Sequence, residues 1–485
     1  MAYMRAIDGR QLARLLGRTQ EADPIGGTGT VYRHLASAIQ MLILDGRLAI
    51  QTRLPSEREL ATALATSRTT VTAAYDALRT AGYAASRRGA GTWTTLPDDR
   101  PADPVAAFAP STTSTHIDLA PAAPEAPGPE LRAAYEHALT QLPHYMSGHG
   151  YHILGLPSLR DAIAARFNAR GLPTTPEQII VTSGAQHAFT LVLAALGRAG
   201  DRVIIDHPTY PNALDAIRRI HAEPVPVTLA EDGWDLEALA AAVRQSGPRL
   251  AYLLPDFQNP TGLLASDVER RHLAETLARA RVVTVVDESN VEVGFVTPPP
   301  PLATYAPGVI TLGSAGKSFW GGLRIGWIRA EQTMIRRLAT TRANLDLASP
   351  PVEQEATAHL LRQADEILPH RRADLRERRD AMIALLAEYL PGWRVRPPDG
   401  GLALWCDMGM HVSSRLTTAA GQHGLRLAAG PRFGVDGAFE RRIRLPLTLP
   451  RDVMQPTVQR LAHAFESVAA GGDPVATTNL RELFA

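Results

Sequence analysis

At 485 residues the chain is too long for one ordinary hydrophobic core, and its length predicts roughly two to four domains. A formal net charge of +1 implies no partner through bulk charge, so any basic surface must be local, and the lone cysteine, Cys406, excludes an internal disulfide and a cysteine-built zinc site. No apolar run reaches membrane-spanning length and the N-terminus lacks a signal-peptide core, so the cytoplasm is the expected location and no membrane partner is expected.

Residues 1–30 form an extension in which "MAYMRAIDGRQLARLLGR" spaces Leu and Ala as a short amphipathic helix does. Residues 31–95 then hold three helical patterns followed by a Gly-rich pair of short strands. "VYRHLASAIQMLILDGRL" has apolar residues at helical spacing and stops at Asp45-Gly46. In "LPSERELATALA", Ser56 and Glu59 have the spacing of a capping box. "SRTTVTAAYDALRTAGY" begins at a second cap, Ser67, and sets Val71, Ala74, Tyr75 and Leu78 on one face. "AASRRGAGTWTTL" reads as a hairpin turning at 89–91. Two short helices joined by a tight turn and followed by a hairpin describe a winged helix-turn-helix. Its second helix would enter the major groove by its N-terminal residues, which are Arg68, Thr69 and Thr70. Eight Arg against four Asp/Glu over 31–95 supply the local positive charge that phosphate contact needs.

The string "DGRL…LPSERELATALATSRTTVTAAYDAL…GY…RRGAGTW" resembles the GntR-type DNA-binding domain. That resemblance implies operator contacts at Arg58, Arg68, Thr69 and Thr70, with Arg87 and Arg88 on the wing, and double-stranded operator DNA as the partner.

Residues 96–128 are rich in Pro, Ala and Thr and lose apolar periodicity, which is the composition of a semi-extended linker. From 129 to about 470 helical segments alternate with the β-rich runs "QIIVTSG", "DRVIIDHP", "LAYLLPDF", "RVVTVVDE" and "VITLGSAGK"; residues 471–485 form a tail. This alternation predicts a mostly parallel α/β sheet, whose ligands bind at the carboxyl ends of the strands.

Lys317, in "GSAGKSFWGGLRIGW", is the only lysine of the chain, while the remaining 49 basic residues are arginine. Arginine replaces lysine for charge but cannot lose a proton near neutral pH and attack a carbonyl, so the retained amine points to Schiff-base chemistry. The strand-end turns supply what a phosphorylated pyridine aldehyde needs. Ser183, Gly184 and Ala185 open an apolar helix whose amides would hold a phosphate, with Ser314 and Arg324 completing the cradle. Tyr210 is placed to stack on a flat ring and Asn259 to donate an amide. Asp287 is placed to pair with a ring nitrogen. Singly, Tyr210 could be a core aromatic, Asn259 a turn residue and Asp287 a helix cap; their order around the sole lysine is what carries the reading.

That order, with "YHILGLPSLRDAIA", "HPTYPNAL", "QNPTG" and "RRIRLPLT", resembles the fold-type-I pyridoxal-phosphate enzymes, the aspartate aminotransferase superfamily. The resemblance implies pyridoxal 5'-phosphate as cofactor, Lys317 as the residue carrying it and Asp287 as partner of the pyridine nitrogen. It also implies Asn259 on the ring hydroxyl, Tyr151 reaching the other subunit's phosphate in a homodimer, and Arg444 gripping an amino-acid carboxylate. A GntR-type module joined to such a domain resembles the MocR family of bacterial transcriptional regulators. The fold class expected is therefore α/β: an N-terminal winged helix-turn-helix plus a fold-type-I aminotransferase-like domain with a smaller C-terminal α+β subdomain.

Two departures stand out. Ser289 and Asn290 occupy the places where many relatives have a tyrosine after the ring-nitrogen aspartate, and Gly316 stands before the lysine where serine is frequent. These favour a regulator that senses the cofactor itself, or a small amine or amino-acid effector, over efficient turnover; the alternative is a working aminotransferase with an appended DNA-binding module.

Overall fold

The computed structural model describes residues 6–17, 31–44, 48, 52–87, 91–95 and 116–469. They fall into two units, one built on the N-terminal module and one spanning 117–410 and 425–463.

In the N-terminal module, helices α1 (Gly9–Gly17), α2 (Val31–Leu44), α3 (Glu57–Ala63) and α4 (Arg68–Thr80) precede a hairpin of β1 (Ala84–Arg87) and β2 (Gly91–Thr94). Leu12 and Leu16 of α1 share one core with Ile39, Leu60, Val71, Tyr75 and Leu78, so the N-terminal extension contributes a helix to this module. Ser67 caps α4 by accepting from the Thr70 N–H at 3.0 Å. Ser56 caps α3 in the same way, accepting from Glu59 N–H at 3.2 Å. The expected reciprocal bond of the capping box is absent among the described residues. Glu59 Oε1 instead accepts the Gly9 N–H at 2.8 Å, because the first turn of α1 presents an unpartnered amide to it. The hairpin pairs Ala84 with Thr94 and Arg87 with Gly91, whose φ of +91° suits glycine at the tight end of the wing.

The second unit is organised by a seven-stranded sheet of order β4-β10-β9-β8-β7-β5-β6. Its strands are β4 (Ile179–Thr182), β5 (Arg202–His207), β6 (Glu223–Thr228), β7 (Leu250–Leu253), β8 (Val283–Asp287), β9 (Ile310–Ser314) and β10 (Gly326–Arg329). All run parallel except β10, which is antiparallel to both neighbours. The near-continuous apolar runs are buried on both faces, as a helix-covered parallel sheet requires. A smaller antiparallel sheet joins β11 (Arg394–Val395), β12 (Ala403–Asp407), β15 (Arg442–Pro446) and β14 (Ala428–Ala429). The stretch read from sequence as the end of a linker is seated on this unit. Its strand β3 (Ile117–Asp118) pairs in parallel with β13 (Leu425–Arg426), and Leu119 is buried.

Candidate functional site: an enclosed lysine and a DNA-reading helix

Parallel order brings the carboxyl ends of β4, β5, β7, β8 and β9 to one edge, where Ser183, Tyr210, Asn259, Asp287 and Ser314 follow or end their strands. Ser314 also caps the one-turn helix Ala315–Ser318, accepting from Gly316 N–H at 3.0 Å, and so fixes the lysine three residues beyond.

Lys317 keeps some exposed surface but is densely surrounded by protein. Its ammonium is brought down to about 8, first by loss of solvation and then by the positive charge of Arg444; Asp287 opposes this and Arg324 adds to it. The charges of Asp287, Arg324 and Arg444 therefore converge on one nitrogen. Lys317 Nζ donates to the carbonyl of Ala122 at 2.6 Å. A cavity beside it is lined by Ala122, Phe257, Asn259, Asn290, Lys317 and Gly401.

Asp287 is nearly buried and held from two sides. Its Oδ2 accepts from Tyr252 Oη at 2.7 Å, and its Oδ1 accepts from Ser289 N–H at 2.9 Å and Ser289 Oγ at 2.5 Å. Each carboxylate oxygen has two lone pairs, so a further donor can still be received. The Tyr210 hydroxyl accepts from Asn212 at 2.9 Å, and burial, with the negative charge of Asp287 next, raises its pKa. Asn290 does not offer its amide freely: Nδ2 donates to the Phe257 carbonyl at 2.8 Å.

The cradle at Ser183–Ala185 is shaped by two glycines. Gly184 has φ +94° and opens the helix Ala185–Leu196, and a Cβ there would meet the Arg324 guanidinium at 3.2 Å. Gly326 packs so closely that its Cβ would lie 2.5 Å from the Gly184 backbone. Arg324, itself left-handed at φ +53°, donates to the Ser183 carbonyl at 2.8 Å. The Ser183 N–H is taken by His187 Nδ1 at 3.0 Å, and burial lowers the pKa of that imidazole, in keeping with an accepting nitrogen. The first-turn amides behind Gly184 are left to serve an anion.

Arg444 is buried on β15 with its Cζ 5.0 Å from the centre of the Phe433 ring. Burial, above all, brings its pKa down to about 10. Nη2 donates to the Ala120 carbonyl, Nη1 lies 3.4 Å from Asn259 Oδ1, and Nε has no partner. Tyr151 is not gathered into this cluster: it is 58% exposed and stacks on His149 with ring centres 5.5 Å apart.

On the N-terminal module, Arg58, Arg68 and Thr69 are exposed and Thr70 is half-buried. The Thr69 and Thr70 hydroxyls both lie 2.7 Å from Ser67 Oγ, and Arg68 approaches Glu57 at 3.5 Å. Arg87 sits opposite Gly91 in the hairpin, but its side chain, and the whole of Arg88, lie outside the described residues.

Residues 31–93 match the bacterial regulatory proteins of the gntR family, and residues 141–461 match aminotransferase class I and II. The chain is 30% identical over 417 residues to the probable rhizopine catabolism regulatory protein MocR of Rhizobium meliloti, covering 80% of this chain and 82% of that protein. This chain belongs to the MocR-type regulators of the GntR family. The chain also resembles enzymes that are transaminases. It is 31% identical over 314 residues to a 2-aminoadipate transaminase of Thermus thermophilus, over 63% of this chain and 79% of that one. The solved alpha-aminoadipate aminotransferase of the same organism, complexed with N-(5'-phosphopyridoxyl)-L-leucine, superposes with a TM-score of 0.68 at 28% identity, over 73% of this chain and 93% of that one. The cofactor of this MocR-type domain is pyridoxal phosphate, and the chain is a DNA-binding transcriptional regulator. The residues fit the cofactor chemically: an amine made less basic by burial, a carboxylate with room for another donor, and a glycine cradle that a Cβ would crowd.

The sequence marks Ser289 only as a departure from a frequent tyrosine, not as a partner of Asp287, and gives no sign of Tyr252, His187, Ala120 or Ala122 as parts of this site. Tyr252 sits in an apolar strand run and the two alanines act through main-chain carbonyls, so neither kind leaves a motif.

Proposed function

We propose that the N-terminal module reads double-stranded operator DNA and that the second unit gates this reading through a small amine or amino acid bound at the Lys317 site. When bound, the cofactor supplies an aldehyde that condenses with primary amines and a ring that draws electrons from the attached carbon. Lys317 would carry it, Asp287 would receive its ring N–H, and Asn259 and Tyr210 would flank the ring. Ser183, Gly184, Ala185, Ser314 and Arg324 would hold its phosphate. Arg444 would take the ligand's carboxylate. The observation that carries this reading is Arg444, a buried guanidinium with an unpartnered Nε, whose charge acts on the same lysine. A fork of that kind suits a carboxylate, and its free donor costs energy until one arrives.

The domain limits proposed are a reading head at 31–95 extended at its N-terminal side by α1, a linker from 96 that ends where strand β3 joins the second unit at 117 rather than at 128, a cofactor domain from there to about 470, and a tail at 471–485. A cytoplasmic homodimer belongs to the proposal as well. Exposed Leu139, Met146, Tyr151, Ile153, Leu345 and Leu347 support a partner-covered surface. Arg342 ties two of these stretches together, donating to the Ile153 carbonyl at 2.9 Å and to Ser349 Oγ at 3.0 Å.

The test is fluorescence anisotropy of the purified protein on its own upstream DNA, with and without pyridoxal phosphate and with single amino acids. A preference over random duplex that changes with ligand is expected; equal affinity for both duplexes in every condition would refute it. A working aminotransferase is favoured by the joint presence of Lys317, Asp287 and Arg444. Asn290, committed to the Phe257 carbonyl, stands where a cofactor-bonding tyrosine is frequent and argues against it. Sustained keto-acid production in an amino-acid screen would decide for the enzyme.

A further inference from the structure

Two carbonyls of a single short segment occupy the two groups assigned to ligand and cofactor. Ala120 accepts from Arg444 Nη2 and Ala122 accepts from Lys317 Nζ. Between them lies Pro121, and Pro124 follows Ala123. Proline fixes its own φ and keeps the residue before it extended, so the spacing of the two carbonyls is set in advance and the segment moves as one piece. Its N-terminal end is pinned: Asp118 takes both Nε and Nη2 of Arg426, Leu119 N–H donates to the Arg426 carbonyl at 2.7 Å, and Ala120 N–H donates to Asp118 Oδ1 at 3.0 Å. Further along, Arg371 donates to the Glu125 carbonyl at 2.9 Å. Upstream, the same chain runs without interruption into residues 96–115 and the DNA-reading module.

We propose that residues 117–122 form a strap that competes with the ligand's carboxylate for Arg444, so that ligand binding releases the strap and, with it, the anchoring of the chain that leads to the DNA-reading module. The proposal rests on the reading of Arg444 as the carboxylate site. Nε and Nη2 lie on one side of a guanidinium and together form the fork that grips a carboxylate. Here Nη2 holds a neutral carbonyl and Nε holds nothing. A carboxylate engaging both would satisfy the orphan donor and gain a charge-assisted pair, so it wins the exchange against Ala120. Attachment of the cofactor at Lys317 Nζ competes with the Ala122 contact in the same direction. The strap is thus a built-in surrogate for the ligand, holding the site's donors until the ligand replaces it.

Hydrogen exchange on the full-length, cofactor-loaded protein tests this, with propionate as a carboxylate lacking an amine. Amides within 117–126 are expected to exchange about tenfold or more faster with saturating propionate, as opening of a pinned segment requires. The same propionate should leave Arg444→Gln unchanged. Asp118→Asn, which weakens the pin without touching the fork, should reach half response at a lower propionate concentration. Unchanged exchange in the wild type, an equal response in Arg444→Gln, or no shift in Asp118→Asn would overturn the strap. A protein that takes up cofactor at Lys317 and answers amino acids on DNA while 117–126 stays protected sinks the strap alone. One that never takes up cofactor sinks the functional reading beneath it as well.

Discussion

Tyr252 donates its hydroxyl to Asp287 Oδ2 at 2.7 Å, from a neighbouring strand and thirty-five residues away in sequence. Because both residues are buried, the bond fixes the carboxylate proposed to receive the cofactor's ring N–H. Tyr252→Phe removes one hydroxyl and keeps the ring, so the fold should survive while cofactor affinity falls. A lost bond to a charged group is worth about 1.5–3 kcal/mol, or roughly ten- to a hundredfold in Kd. Titration of the apo-protein with pyridoxal phosphate, followed by absorbance, reads this directly; an unchanged Kd would show that Ser289 alone orients Asp287.

Lys317 should show its altered basicity as a pH dependence. With its pKa lowered to about 8, the free amine grows as pH rises through that value, so the rate of cofactor capture by apo-protein should climb with a midpoint near pH 8. Arg444→Gln removes one of the charges that depress it, and the midpoint should move upward. Lys317→Arg should abolish borohydride-stable labelling at 317, as shown by peptide mapping, and leave DNA affinity of the ligand-free protein intact.

Arg68 is exposed at the start of α4 and only loosely paired with Glu57. Arg68→Ala should weaken DNA binding by about 1–3 kcal/mol without altering the bound-cofactor spectrum. A loss of the chromophore would contradict separate reading and sensing units.

The N-terminal helix should prove part of the reading head. Leu12 is fully buried, so Leu12→Ala should destabilise this module by about 2–5 kcal/mol, seen as an earlier thermal transition. Glu59→Gln keeps an acceptor for the Gly9 amide and should cost far less.

How far the sequence foretells this architecture depends on where the signal lies. Apolar runs and their polar ends mark β4, β5, β7, β8 and β9, and with them Ser183, Tyr210, Asp287 and Lys317. β6 escapes notice because Pro224 and Pro226 interrupt it, which an edge strand tolerates. β10 is hidden in the glycine-rich run after Lys317, and nothing local says that it turns antiparallel. The Ser56–Glu59 spacing foretells a cap but not that Glu59 would serve α1. Least legible are Ala120 and Ala122, whose contribution is a carbonyl that every residue possesses; only the tertiary path of the chain gives it a role.

A chain with one lysine carries its own chemical reporter. Among side chains, amine reagents can mark this protein only at position 317, where the nitrogen donates to the Ala122 carbonyl. Acetylation there would silence cofactor attachment outright, and the extent of labelling would gauge, molecule by molecule, how much of a preparation stands uncharged.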